Sequence, residues 1–144
     1  MSRKEHTQLV ADFMKAFGQP VSQGWNRPPT VILGMNLIEE EFVELTEAAE
    51  SLIAAHYAPK DCDHNLIREH FVKELADLAF VVFWLAAGMG INLDEAIREV
   101  WASNMSKLGE DGKPIYREDG KVLKGPNYRM PDLSQVVRFT PITL

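Results

Sequence analysis

The chain has 144 residues, a length that fits one folded domain with a substantial core. Hydrophobic residues make up 46% of it and charged residues 25%, which is typical of a globular protein and excludes a disordered chain. The net charge of −6 argues against nucleic-acid binding, which needs clustered lysine and arginine. Cys62 is the only cysteine, so no disulfide can form within the chain, and we expect a cytoplasmic protein. The longest apolar run, residues 78–91, is shorter than the roughly 20 residues of a membrane span, so we expect no membrane segment.

Helical spacing of apolar residues predicts two helices in the first part of the chain. Ser2 followed by Glu5 resembles a capping box, and the apolar residues that follow predict a helix over about 3–17. Residues 18–30 are rich in glycine and proline, which predicts a loop. A second helix is predicted over about 31–56, with apolar residues on one face and glutamates on the other.

Two further helices are predicted after Pro59, which breaks the helical pattern. The third helix covers about 66–87 and is apolar on all sides after Asp77, which is typical of a central element. It is expected to end at one of the glycines that follow. Asn92 with Glu95 repeats the capping pattern and predicts the start of the fourth helix.

The last part of the chain, residues 109–144, forms a predicted tail with turn signals in place of helical spacing. Asp119-Gly120 lies between two short apolar pairs, which predicts a small β-hairpin, and the prolines after it predict an extended arm. We therefore expect one all-α domain of the four-helix-bundle type, with a helical core at about 3–108 and this tail. A helix that is apolar on all faces needs more cover than three neighbours give, so we expect a homodimer or a dimer of dimers.

Two pairs of carboxylates, each three residues apart, stand out in this arrangement. Glu41 and Glu44 lie on the second predicted helix, and Glu74 and Asp77 lie on the third. Residues three apart on a helix are neighbours, so each pair repels itself by roughly 0.2–0.5 kcal/mol. Hard divalent cations take carboxylate oxygens as ligands, and two helices with one such pair each can surround a cation. The pattern predicts a Mg²⁺ site, with Mn²⁺ as a substitute.

Other interpretations of these acids compete with a metal site. A row of glutamates is often only a solvated helix face, and that would be the preferred interpretation if the second helix stood alone. A ferritin-like di-iron site needs Glu-x-x-His on facing helices, which this chain lacks. The sequence gives Cys62 no catalytic context, and surface positions are expected for the four histidines, which are His6, His56, His64 and His70.

The acidic residues also resemble a known enzyme signature. Glu40-Glu41-x-x-Glu44 followed by Glu74-x-x-Asp77 is similar to that of the all-α nucleoside triphosphate pyrophosphohydrolases, the superfamily of MazG-like enzymes, dimeric all-α dUTPases and phosphoribosyl-ATP pyrophosphohydrolase. The resemblance implies a MazG-like fold in which Glu40 positions or deprotonates the attacking water. It also implies that the other four acids bind Mg²⁺, namely Glu41, Glu44, Glu74 and Asp77.

The resemblance extends into the fourth helix and the tail. Asn104-Met-Ser-Lys107 and the turns that follow are similar to a subgroup of short, single-domain MazG-like proteins. This similarity implies that Asn104 and Lys107 hold phosphate or sugar oxygens of a nucleotide, with Lys121 and Lys124 as further phosphate ligands. Trp25, in the first loop, can stack on a base, although such a residue is more often a loop anchor packed on the core.

The resemblance implies an activity: Mg²⁺-dependent hydrolysis of a nucleoside triphosphate to a monophosphate and pyrophosphate, for house-cleaning of deoxy- or non-canonical nucleotides. Two alternatives stay open, which are a phosphoribosyl-ATP pyrophosphohydrolase-like activity and a non-catalytic helical regulator that binds nucleotides. The phosphoribosyl-ATP alternative is less favoured because the long N-terminal loop and C-terminal arm exceed that compact enzyme. The separation of the two acidic motifs, residues 45–73, is also slightly long for the superfamily.

Overall fold

The computed structural model describes residues 2–58, 60 and 62–138 of the chain. Pro59, where the helical pattern breaks, and the end of the predicted arm, including Pro141, lie outside the described residues. The described residues form five helices, which confirms the all-α class: α1 (His6–Ala16), α2 (Pro28–Tyr57), α3 (His64–Met89), α4 (Leu93–Met105) and α5 (Ser134–Val137).

The two long helices, α2 and α3, pack along each other in antiparallel directions. At one end Gly34 lies so close to α3 that a Cβ atom on it would be 2.7 Å from Leu85 Cδ1. At the other end Ala55 and His64 line the same cavity. The start of α2 thus meets the end of α3, and the end of α2 meets the start of α3. The middle of α2 therefore faces the middle of α3. The four predicted metal ligands belong to these two middle regions.

Local sequence signals predicted the start of α4 correctly, but they placed the start of α2 too late in the chain. The helix α4 is capped as predicted, since the Asn92 side chain accepts a hydrogen bond from the Glu95 N–H at 3.2 Å. The helix α2 starts at Pro28, three residues before the predicted start, because a proline in the first turn lacks only an N–H that has no helical partner. The prediction that residues 18–30 form a loop is therefore wrong at its end.

The predicted capping box at the first helix is also wrong. Glu5 is the N-cap of α1, and its side chain makes no capping hydrogen bond. The carboxylate of Asp94 in α4 takes this role, accepting from the backbone N–H of Thr7 at 2.8 Å and of His6 at 3.2 Å. A residue almost ninety positions away thus replaces the local cap, and it fixes α1 against α4.

The core lies where α1 crosses the C-terminal half of α3. Its members are Val10, Ala11, Met14, Trp84 and Ala87. The indole N–H of Trp84 donates to Gln19 Oε1 at 2.8 Å. The loop 22–24 donates three backbone hydrogen bonds to the last carbonyls of α3, which ends at Gly90 in the left-handed conformation (φ 90°). The helix α3 contacts α1, α2 and α4, so the prediction of a central element is confirmed.

The tail folds back onto α4. The predicted hairpin around Asp119-Gly120 is reduced to a single antiparallel bridge between Tyr116 and Val122. After this turn the chain returns to the end of α4, where the Ser103 hydroxyl donates to the Arg129 carbonyl at 2.8 Å. The short helix α5, which the sequence did not predict, follows.

No single described helix combines the length and the apolar character needed to cross a membrane. The helices α3 and α4 together reach that length and composition, but they are bent by 113° where they meet.

Candidate metal centre and nucleotide site

The antiparallel packing of α2 and α3 brings three of the four predicted ligands together. One carboxylate oxygen each of Glu41, Glu44 and Glu74 can be chosen so that all three lie within 4.8 Å of one another. Oxygen ligands lie about 2.0–2.6 Å from a bound Mg²⁺ or Ca²⁺, so oxygens around one ion are separated by up to roughly 4–5 Å. The three carboxylates, which we call the acid cluster, are therefore close enough to share one cation.

Burial makes the acid cluster costly without a cation. Glu74 is only 3% exposed, and Glu41 is half-buried. The Oε2 atoms of both residues are buried and have no hydrogen-bond donor among the described residues. Burial, together with the neighbouring carboxylates of Glu44, Asp77 and Glu74, raises the pKa of Glu41. Buried carboxylate oxygens that repel one another and lack donors fit a hard divalent cation, which would bind and neutralise them.

Asp77, the fourth predicted ligand, lies beside the acid cluster and outside its closest group. Its Oδ2 accepts a hydrogen bond from the ammonium group of Lys73 at 2.7 Å, and the same group is 3.0 Å from Glu74 Oε1. The sequence analysis required a partner for Asp77 but did not identify Lys73. The signal was present, since residues four apart on a helix are neighbours and can form an ion pair.

His70 is a further neighbour that the sequence analysis placed only at the surface. Its imidazole is exposed, as predicted, yet Nδ1 lies 3.4 Å from Oε1 of Glu74 on the following turn of α3. Oε1 of Glu74 therefore has two nitrogen neighbours, His70 and Lys73, whereas Oε2 has none. The side chain of Glu74 thus directs its unpaired oxygen into the protein.

Glu40, the predicted water-activating residue, lies on the solvent side of α2. It lines an open groove of about 620 Å³ whose walls are all contributed by that helix: Asn36, Glu39, Glu40, Val43, Glu44 and Glu47. Glu44 belongs both to this groove and to the acid cluster. Glu40 is therefore exposed on the same face of α2 as Glu44.

The predicted nucleotide-binding residues lie in a different part of the fold. Asn104 is in the last turn of α4, and Lys107 lies just after the helix, because α4 ends at Met105. The structure brings these two together, since the Lys107 ammonium donates to Asn104 Oδ1 at 2.8 Å. Among the described residues no hydrogen bond or ion pair joins them to the acid cluster.

The remaining predicted substrate residues belong to the tail or contact it. Lys121 is exposed in the Asp119-Gly120 turn, and the ammonium group of Lys124 lies 4.4 Å from the centre of the Tyr128 ring. The indole N–H of Trp25 donates to the carbonyl oxygen of Val137 at 3.1 Å, and half of its surface stays exposed. Trp25 thus contacts the last described helix of the tail and remains partly open to solvent.

Comparison with known protein families identifies one match of large extent. The family model described as phosphoribosyl-ATP pyrophosphohydrolase matches residues 10–104. The matched segment includes the acid cluster, Asp77, Glu40 and Asn104, and it stops before Lys107 and the tail lysines. The comparison with curated protein sequences gives no match.

Proposed function

The chain belongs to the phosphoribosyl-ATP pyrophosphohydrolase family, a family of hydrolases acting on acid anhydrides within the MazG-like all-α superfamily, and from this we propose a specific reaction. The protein hydrolyses a nucleoside triphosphate, deoxy or non-canonical, to the monophosphate and pyrophosphate with Mg²⁺. The reaction would remove unwanted nucleotides from the pool, in the cytoplasm. The observation that carries the proposal is the pair of buried oxygens, one on Glu41 and one on Glu74, that have no hydrogen-bond donor among the described residues and lie near two further carboxylates, Glu44 and Asp77.

The acids have a clear role in such a reaction. Mg²⁺ would be held by the acid cluster together with Asp77, whose carboxylate lies beside it. When bound, the cation neutralises the charge of the triphosphate and lowers the pKa of a bound water. Without that neutralisation the acid cluster would repel a triphosphate, so the carboxylates alone are not a nucleotide site.

Glu40 is proposed to position or deprotonate the attacking water. It stands next to Glu41 in sequence and shares the open groove with Glu44, so water reaches it from solvent. In the proposed reaction a water oxygen attacks the α-phosphorus while the bond to the bridging oxygen of the β-phosphate breaks. The water proton passes to the Glu40 carboxylate, and pyrophosphate leaves.

Asn104 and Lys107 are proposed to hold phosphate or sugar oxygens, with the tail lysines Lys121 and Lys124 assisting. Their mutual hydrogen bond positions the Lys107 ammonium at the C-terminal end of α4. Trp25 is proposed to stack on the base through its exposed ring face. These residues lie on α4, the tail and the first loop, whereas the acids lie on α2 and α3.

A second candidate substrate is phosphoribosyl-ATP, and the family match favours it as much as it favours other nucleotides. Its hydrolysis breaks the same type of bond and needs the same acids. The base, ribose and phosphoribosyl group would be distinguished by contacts outside the acid cluster.

We also propose that the chain assembles as a homodimer or a dimer of dimers. The chain exposes 10409 Å² of surface, whereas a compact monomer of its mass exposes about 7,500 Å². One apolar surface joins α1 and α3, and it contains a groove of about 230 Å³. This surface, which we call the α1–α3 face, includes His6, Leu9, Val10, Ala76, Ala79, Phe80 and Phe83. A second copy of the chain would cover it.

A nucleotide panel with Mg²⁺ tests the reaction. The panel contains dUTP, dCTP, an oxidised triphosphate and phosphoribosyl-ATP, and chromatography separates the products. Glu74→Gln keeps the size of the side chain but removes the buried charge, and Glu50→Gln is the control because Glu50 is exposed on α2. We expect monophosphate and pyrophosphate from at least one substrate with the wild type and with Glu50→Gln.

Glu74→Gln should reduce the rate by more than about 100-fold, because even partners of metal ligands contribute 10- to 100-fold. Release of orthophosphate, or full turnover by Glu74→Gln, would contradict the proposed reaction. No turnover of any nucleotide, with Mg²⁺ bound, would instead favour a regulator that binds nucleotides.

A further inference from the structure

Lys73 places a positive charge against the proposed metal ligands. Its ammonium group is bonded to Asp77 Oδ2 at 2.7 Å and to Glu74 Oε1 at 3.0 Å. A lysine side chain is charged at neutral pH, so these two bonds set a positive charge against the carboxylates. A lysine ammonium is a compact charge with three donors, and two of them are used here.

The two bonds of Lys73 divide the carboxylates into two sets. Oε1 of Glu74 and Oδ2 of Asp77 face the ammonium group, whereas Oε2 of Glu74 is buried with no donor among the described residues. Asp77 also lies outside the group of three carboxylates that approach within 4.8 Å. The Lys73 ammonium group therefore neutralises negative charge at Glu74 Oε1 and Asp77 Oδ2, whereas Glu74 Oε2 keeps unpaired negative charge.

The inference rests on the metal site proposed above. We propose that Lys73 is a tethered counter-cation of the metal-free site, and that a divalent cation engages Asp77 and both oxygens of Glu74 only after the ammonium group has moved away. The Lys73 side chain is 62% exposed on a flexible stem, so it can turn into solvent without disturbing the helix. Lys73 thereby sets the cation concentration at which the site fills.

Titration of the full chain with Mg²⁺ by calorimetry tests this role. Lys73→Met keeps most of the side-chain length and removes the charge. The matched control is Lys4→Met, because Lys4 forms a similarly exposed ion pair with Asp12 at 2.6 Å on another helix. We expect Lys73→Met to bind Mg²⁺ about threefold to tenfold more tightly than the wild type, because it loses the exposed ion pair with Asp77 and the ion pair with the buried Glu74. Lys4→Met should bind as the wild type does.

The melting temperature gives a second readout that needs no catalysis. Without its counter-cation the acid cluster repels itself more strongly, so Lys73→Met should melt below the wild type in the presence of a chelator. Saturating Mg²⁺ should raise its melting temperature by more than it raises that of the wild type, because tighter binding stabilises the folded state more. Lys73→Gln provides an independent neutral variant if Lys73→Met does not fold.

The outcomes separate this inference from the proposed function. If the wild-type protein binds no Mg²⁺, the metal site itself is wrong. If the wild type binds Mg²⁺ and the neutral variants bind it equally or more weakly, only the role of Lys73 is overturned.

Discussion

Two buried carboxylates of this chain, those of Asp94 and Glu74, differ in how fully they are hydrogen-bonded. Asp94 accepts hydrogen bonds from the Thr7 hydroxyl at 2.6 Å and from the backbone N–H groups of Thr7 and His6. Glu74 is more deeply buried, yet one of its oxygens has no donor among the described residues. Burying an unpaired charge is costly, whereas a fully bonded carboxylate can stabilise the fold. Asp94 is therefore a structural residue, and Glu74 is suited to a cation.

Replacing Asp94 tests its role as the cap of α1. In Asp94→Asn the charge is lost and the new NH₂ group faces backbone donors, so the free energy of unfolding should fall by about 1–3 kcal/mol at pH 7. Urea unfolding followed by circular dichroism measures this change. Glu95→Gln, in the same turn but exposed, should change stability by about 0.5 kcal/mol or less. An Asp94→Asn variant as stable as this control would contradict the capping role.

The pH dependence of that difference has a definite sign. Burial raises the pKa of Asp94, but the hydrogen bonds from Thr7 and His6 outweigh burial, and the pKa lies below its ordinary value of 3.8. The stabilisation is therefore present above the unfolded-state pKa and is lost as the pH falls through the lower folded-state pKa. The stability gap between wild type and Asp94→Asn should narrow as the pH falls below 3.8. A gap that widens in acid would contradict this.

Residue spacing predicted the members of the acid cluster because helical neighbours follow directly from a period of 3.6 residues. Glu41, Glu44 and Glu74 were found in this way. Asp94 was missed, since its partners are almost ninety residues away and only tertiary packing brings them together. Lys73 was missed although its spacing to Asp77 was visible, because lysines on helices mostly point into solvent.

At the level of helices, the sequence predicted four core elements but not how α2 and α3 align. That alignment decides whether Glu44 meets Glu74 or a residue one turn away. Gly34 lets the two helices approach closely, since any side chain there would meet Leu85. In the sequence, the only sign of this close approach is a glycine within a helical pattern, and a glycine does not show which residue of another helix it packs against.

Adding a methyl group at this crossing tests the alignment. Gly34→Ala places a Cβ 2.7 Å from Leu85 Cδ1 and 3.0 Å from its Cβ, so the Leu85 side chain or the helix that carries it must shift. We expect a net loss of about 1–2 kcal/mol in the free energy of unfolding, because overpacking outweighs the gain of up to about 1 kcal/mol in helix propensity. Thermal and urea unfolding measure it.

Gly88→Ala is the matched control on α3. Its Cβ would meet only the Thr30 methyl group closely, at 3.1 Å, and that group can move slightly. At Gly88 the cost of overpacking and the gain in helix propensity should nearly cancel, so the free energy of unfolding should change by no more than about 0.5 kcal/mol. A Gly34→Ala variant more stable than the wild type would show that α2 and α3 are not in contact at this point.

At the scale of the whole molecule, turn residues predicted the change of character after α4 but not the position of the tail. The tail returns to α4, where Gly125 donates to the Lys107 carbonyl at 2.8 Å. A Cβ at Gly125 would overlap the carbonyl oxygens of Lys107 and Leu108, so the contact requires glycine. Such long-range contacts depend on surfaces that exist only after the helices have packed.

The surface that stays exposed gives the test of assembly. Ala79→Arg adds a large charged side chain at the centre of the α1–α3 face, and Ala79 is exposed, so the fold of the protomer should survive. We expect light scattering after gel filtration to give a dimer or larger assembly for the wild type and a monomer for Ala79→Arg. Ala54→Arg, at an exposed position of α2, should assemble as the wild type does. A monomeric wild type would contradict the proposed dimer.

The most direct test of the metal centre is a crystal structure of the protein with Mn²⁺, measured where manganese scatters anomalously. We expect an anomalous peak within ligand distance, about 2.0–2.6 Å, of carboxylate oxygens of Glu41, Glu44 and Glu74. We also expect Oε2 of Glu74 to be among the ligands. A peak elsewhere, or an acid cluster without a peak at saturating Mn²⁺, would contradict the proposal that these carboxylates form the metal centre.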